Sequence, residues 1–145
     1  MRHRMAVAVL ALGGLLVSTY LLLYKFGVIG SMVCGAANEC ERVQASRYAE
    51  FLGFPVAAYG VAGYLVLLIL ALYGLQESQL SRPAATRWLA GLSALGVGFS
   101  LYLLYLELFV IHAICRWCSM SGVLILTICA VSIGGLAGSS RAPAP

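Results

Sequence analysis

Four long apolar runs constrain this chain more than any other feature: Met5 to Tyr24, Pro55 to Leu75, Trp88 to Ala113 and Cys118 to Leu136. Each approaches or exceeds the roughly 20 residues that a helix needs to cross the hydrocarbon core of a bilayer. A helix satisfies its own backbone N–H and C=O groups, which lipid cannot do for it. Only 10% of the 145 residues are charged, and those charges gather between the runs. The expected fold is therefore an all-α membrane protein, a four-transmembrane-helix bundle forming a single domain over 1–145. A cleaved signal peptide is the rival reading of the first run, since Arg2 and Arg4 precede it. The run is longer than a signal core and no small-x-small site follows it promptly, so a retained helix is expected. The net charge of +4 is scattered. It forms no basic stripe of the kind that nucleic-acid binding requires.

The polar stretches fall into place around the runs. Residues 25–54 carry Cys34, Cys40 and three of the five acidic residues, Glu39, Glu41 and Glu50. Asn38 followed by Glu41 predicts a helix N-cap with a capping-box partner. Beyond it Ala45, Tyr48, Ala49, Phe51 and Leu52 share one face, with Arg42, Ser46, Arg47 and Glu50 opposite, so a short amphipathic helix is expected in this loop. Pro55 suits the first turn of the second span. The small residues Ala57, Ala58, Gly60, Ala62 and Gly63 allow close helix approach or leave room for a ligand, and Gly91, Ala94 and Gly98 form a similar series in the third. Residues 138–145 read as a disordered tail by composition.

Four spans return the chain to the side on which it began. The loop 25–54 and the junction near residue 115 then share the other side, and with them Cys34, Cys40, Cys115 and Cys118. Arg2 and Arg4 beside the first span favour an inside N-terminus. The four cysteines would then face outward, where disulfides persist.

Cys115-Arg116-Trp117-Cys118 sits at the start of the last span. A Cys-x-x-Cys pair is a redox dithiol or half of a metal site. The positive end of a helix, its free N–H groups and Arg116 would all favour a thiolate. Three readings of the four cysteines compete on spacing alone. They are a pair of exchanging redox couples, two static disulfides in a membrane scaffold, or a four-thiolate metal site. The Cys34-x5-Cys40 spacing fits a zinc knuckle poorly, and no metal is expected. Cys129 lies about 16 Å deeper along the last helix and reads as a buried apolar residue.

Glu107 is the carboxylate within a span, placed roughly 12 Å of helix rise before Cys115. It reads as a proton relay or as a packing or interfacial group. His112 reads as interfacial. Tyr102 and Tyr105 fit either the lining of a ligand pocket or an interfacial aromatic belt.

The ordered set Cys34-x5-Cys40, Ser46, Gly53-Phe54-Pro55 and Cys115-x-x-Cys118 on a four-span frame resembles the vitamin K epoxide reductase family, and its bacterial branch most closely. The likeness runs from about residue 5 to 136. A second family of bacterial quinone reductases also has four spans and four cysteines, but there the Cys-x-x-Cys pair precedes the wider pair. The resemblance implies a thiol–disulfide oxidoreductase of the bacterial inner membrane, with its cysteines facing the periplasm and a quinone as acceptor. Cys118 would be the thiol nearest the quinone and Cys115 its exchanging partner. Cys40 would be the shuttle that attacks Cys115, and Cys34 the outermost thiol, with Ser46 beside the relay. Val56, Tyr59, Gly122 and Glu107 would stand with Cys118 around the quinone. Some bacterial members continue into a fused thioredoxin-like domain, so a separate thioredoxin-fold partner is implied for a chain that stops at Pro145. The animal enzymes have asparagine where Val56 stands and tyrosine where Gly122 stands, which favours a plain quinone over its epoxide.

Overall fold

The computed structural model describes residues 2–34, 38–76, 78 and 82–141. Among them, four helices are long and apolar enough to cross a membrane. They are α1 (Arg2–Lys25), α3 (Val56–Tyr73), α4 (Ala84–Leu106), which a wide π-turn extends over Glu107–Ile111, and α5 (Arg116–Arg141). The loop after α1 holds α2 (Glu39–Ala45), a 3-10 turn (Arg47–Ala49) and a minimal hairpin, β1 (Glu50–Phe51) with β2 (Phe54–Pro55). The strands are antiparallel, with Glu50 opposite Pro55 and Phe51 opposite Phe54.

The helices are apolar nearly all round, and their outward faces show why. Val9, Leu16, Ile69 and Ile133 are all more than half exposed. Such faces are costly in water and at home against lipid tails. The inward faces are built from smaller residues. Gly14 of α1 has no room for a side chain, because a Cβ there would overlap the Tyr64 ring of α3. Gly60 of α3 approaches α1 so closely that a Cβ would sit 2.7 Å from Ser18 Oγ. Tyr64 then spans the bundle, its hydroxyl donating to Ser121 O at 2.7 Å on α5. α1 thus packs along α3 and α5, and α5 along α4, while α3 and α4 stay further apart.

Two buried clusters mark the two ends. Val7, Ala11, Leu67, Ala71, Leu89 and Ile128 fill one. Val17, Leu21, Cys40, Val43, Ala57, Ala113 and Cys115 fill the other. At the first end Arg4 is 3% exposed. Its guanidinium donates to Thr86 Oγ1 at 3.2 and 3.1 Å, to Arg82 O at 2.9 Å and to Gly74 O. Gly74 follows the last turn of α3, where carbonyls lack helical partners and a cation is favoured. Arg4 therefore joins the start of α1 to the end of α3 and the start of α4.

Several expectations are corrected. Asn38 precedes α2 but adopts a left-handed conformation (φ 50°) and makes no side-chain cap hydrogen bond, so the capping box with Glu41 does not form. The helix ends at Ala45, where Ser46 turns extended. Its buried face is Cys40, Val43 and Gln44 rather than the stripe from Ala45 to Leu52, which the turn and hairpin divide. Pro55 lies just before α3, in the hairpin. The last helix continues to Arg141, so residues 138–141 of the expected tail are helical, and 142–145 lie outside the described residues.

Replacing Arg4 by leucine would remove the donor from two buried oxygens, Thr86 Oγ1 and Gly74 O, and from the part-buried Arg82 O. A loss of about 2–4 kcal/mol is expected, read as a lowered melting temperature in detergent, whereas Arg2→Leu, at an exposed position, should change it little.

Candidate active site

The site forms where α2 lies over the start of α5. Cys34 and Cys40 are joined by a disulfide with Cα atoms 5.9 Å apart, while Cys115 and Cys118 are free thiols.

Cys115 is fully buried and occupies the N-cap position of α5. Its carbonyl accepts the first helical bond, from Ser119 N at 2.9 Å. Its Sγ accepts the backbone N–H of Cys118 at 3.3 Å, the bond that an aspartate or serine cap would make. The Cys118 thiol, and then the Cys118 and Trp117 N–H groups, hold the Cys115 thiol below its ordinary pKa against the opposing effects of burial and of Glu107. Arg116, expected to add a charge between the sulfurs, is exposed. The Cys118 thiol and the backbone N–H groups of Cys118 and Trp117 act on Cys115 instead.

The approach to Cys115 departs most from a straight-helix reading. After Leu106 the helix widens into the π-turn Glu107–Ile111, and His112 then turns left-handed (φ 54°). Ala113 N closes back on Glu107 O at 3.1 Å. The chain folds over, and Glu107 Oε2, 4% exposed, accepts the backbone N–H of Cys115 at 3.2 Å. The separation of roughly 12 Å that an uninterrupted helix implies is therefore absent. Glu107 belongs to the thiol site.

Aromatic and polar contacts hold the loop down on this junction. Trp117 Nε1 donates to Val33 O at 3.1 Å, and its ring packs 4.9 Å from that of Tyr20, whose hydroxyl accepts Val33 N–H at 3.3 Å. Lys25 Nζ donates to Gln44 O at 3.1 Å and pairs with Glu50 at 3.3 Å. Gln44 Nε2 donates to Cys118 Sγ at 3.7 Å. Gln44 was missed on the sequence, although its place four residues after Cys40 puts both on one helical face.

Beyond Cys118 an apolar cavity of about 870 Å³ opens among α3, α4 and α5. Its wall includes Ser46, Val56, Tyr59, Glu107, Cys118 and Gly122, every residue expected around the acceptor. Phe51, Tyr59 and Phe99 form an aromatic group on that wall, with ring centroids 5.9 to 6.5 Å apart. Ser46 uses its hydroxyl on Val43 O at 2.6 Å, closing the end of α2. Tyr102 and Tyr105 do not line the cavity. They are 48% and 55% exposed on the outer face of α4, and Tyr105 packs on Phe109. His112 is exposed, and Cys129 is buried in α5 outside the cavity wall. An apolar chamber of this volume with few polar groups in its wall has the character of a small-molecule site.

Residues 5–133 match the vitamin K epoxide reductase family. The matched stretch contains both cysteine pairs, the loop between α1 and α3, and the π-turn that brings Glu107 to Cys115. This chain belongs to the vitamin K epoxide reductase family, and is by that membership a membrane thiol–disulfide oxidoreductase.

Proposed function

We propose that the protein oxidises the dithiol of a thioredoxin-fold partner and delivers the electrons to a membrane quinone, so supporting disulfide formation on the periplasmic side of a bacterial inner membrane. The observation that carries this reading is the sequence of environments along the sulfurs. A disulfide between half-buried Cys34 and buried Cys40 packs in one cluster with buried Cys115, and the second thiol of the Cys115/Cys118 pair lines an apolar cavity.

The partner's dithiol reduces Cys34–Cys40 through Cys34, the half-buried member of the pair. The Cys40 thiolate then attacks Cys115 of an oxidised Cys115–Cys118 pair. A Cys40–Cys115 bond forms and Cys118 leaves as a thiolate. Cys34 resolves that bond by attacking Cys40, which restores Cys34–Cys40 and frees Cys115. Re-oxidation of Cys115 and Cys118 to a disulfide releases two electrons and two protons. A bound quinone supplies the matching two-electron, two-proton sink. Val56, Tyr59 and Gly122 would hold it beside Cys118, and Glu107 stands in the cavity wall as a carboxylate able to carry a proton. Each exchange step depends on thiolate fraction and access; the N-cap position of Cys115 favours its thiolate, and the packing of Cys40 in the same cluster as Cys115 brings the two sulfurs within one contact region.

Cys118→Ala is expected to abolish quinol formation with a reduced thioredoxin-fold donor, and Cys129→Ala to leave it near normal. Equal losses would remove Cys118 from its assigned place. Cys34→Ser removes the resolving thiol and should accumulate a Cys40–Cys115 bond, identified by non-reducing proteolysis and mass spectrometry. A Cys40 that stays free with quinone present would overturn the relay. After reduction, a membrane-impermeant maleimide should label Cys34 from outside intact cells. Labelling only in opened cells would reverse the orientation.

A further inference from the structure

Gln44 is a buried side chain in contact with a reactive sulfur that the cysteine relay leaves without a task. It is 8% exposed and stands one helical turn after Cys40, so both project from the same face of α2. Opposite them lie Cys115 and Cys118, three residues apart at the first turn of α5 and likewise neighbours on one face. The two pairs meet in register. Cys40 packs in the same buried cluster as Cys115, and Gln44 Nε2 donates to Cys118 Sγ at 3.7 Å. The backbone that carries the amide is tied down, because the main-chain carbonyl of Gln44 accepts from Lys25 Nζ, itself paired with Glu50.

We propose that Gln44 is a catalytic hydrogen-bond donor that stabilises the Cys118 thiolate as it leaves during internal exchange. This rests on the relay described above. In that step Cys40–S⁻ and the Cys115–Cys118 disulfide become a Cys40–Cys115 disulfide and Cys118–S⁻. One S–S bond forms, one breaks, the charge moves from Cys40 to Cys118, and no proton is transferred. An N–H donor at the departing sulfur strengthens as the sulfur becomes an anion. A leaving thiol of lower pKa leaves faster, and hydrogen bonding to the charged form is one of the effects that lowers it. Because the donor and the attacking thiol ride on one short helix, seating α2 brings both to α5 together. The other groups facing Cys118 are the Glu107 carboxylate from the π-turn and the Cys115 thiol. The amide differs from both in carrying no charge, so it donates across the working pH range.

The test uses full-length protein in detergent with Cys115→Ala and Cys129→Ala and the Cys34–Cys40 disulfide intact, leaving Cys118 as the free thiol. Its alkylation by monobromobimane is followed against pH. Glu107 is present in every protein compared, so its effect cancels. Gln44→Met, close in size and lacking the donor, should move the profile upward by about one pH unit, about tenfold less thiolate at fixed pH. Gln44→Glu should move it at least as far, since its carboxylate repels the thiolate, and it decides the matter if the methionine variant does not fold. An unchanged profile in a folded variant overturns the proposal. In a second arm, on Cys34→Ser, Gln44→Met should slow formation of the Cys40–Cys115 bond. A bond that forms equally fast overturns the Gln44 assignment alone. A bond that never forms with Gln44 in place overturns the relay, and the leaving-group role with it.

Discussion

The seating of α2 on the first turn of α5 is the contact on which the rest of the site depends. It buries Cys40 and Cys115 in one cluster and sets an amide against Cys118. A seven-residue helix has little stability of its own. Its position comes from the disulfide at its N-terminal side, from Lys25 and Glu50 at its C-terminal side, and from Trp117 gripping the backbone of Val33. Every tie to that helix is therefore also a tie to the sulfur chemistry.

The bundle divides its labour along its length. At the end that carries Arg4, three helices are pinned by hydrogen bonds to one guanidinium. Close glycine contacts then bring α1 onto α3 toward the middle. At the other end α3 and α4 stay apart, and the space between them is the cavity beside Cys118. Tight packing of α1 against α3 and against α5 lets the remaining side stay open without loss of the fold, because the small-residue contacts in lipid act through van der Waals packing rather than expulsion of water.

Much of this was legible in the chain. Uninterrupted apolar length is a strong signal, and the four helices appear where those runs lie. Parity alone placed four cysteines at one end, and the residues expected around the acceptor do line one cavity. The mismatch at the capping motif is local, and at two tyrosines the sequence left both readings open. Asn38 and Glu41 matched a capping pattern, but cap chemistry is a weak preference, and the left-handed backbone at Asn38 leaves its side chain without a cap bond. Tyr102 and Tyr105 looked equally able to face a pocket or lipid, since a span that is apolar all round carries almost no signal of which face turns inward.

The sequence by itself determined that the chain is a four-helix membrane bundle, which cysteines share an end, and which of them opens the last helix. Those properties follow from length, parity and adjacency, which are additive along a chain. Only the tertiary structure decided that Glu107 meets the Cys115 amide, that Gln44 meets Cys118, and that the loop pair is oxidised while the helix pair is not. Each of these depends on a departure from regular geometry or on contact between segments distant in sequence. The π-turn shifts the register of every residue after it, and a periodicity argument that assumes an unbroken helix has no means of registering that shift.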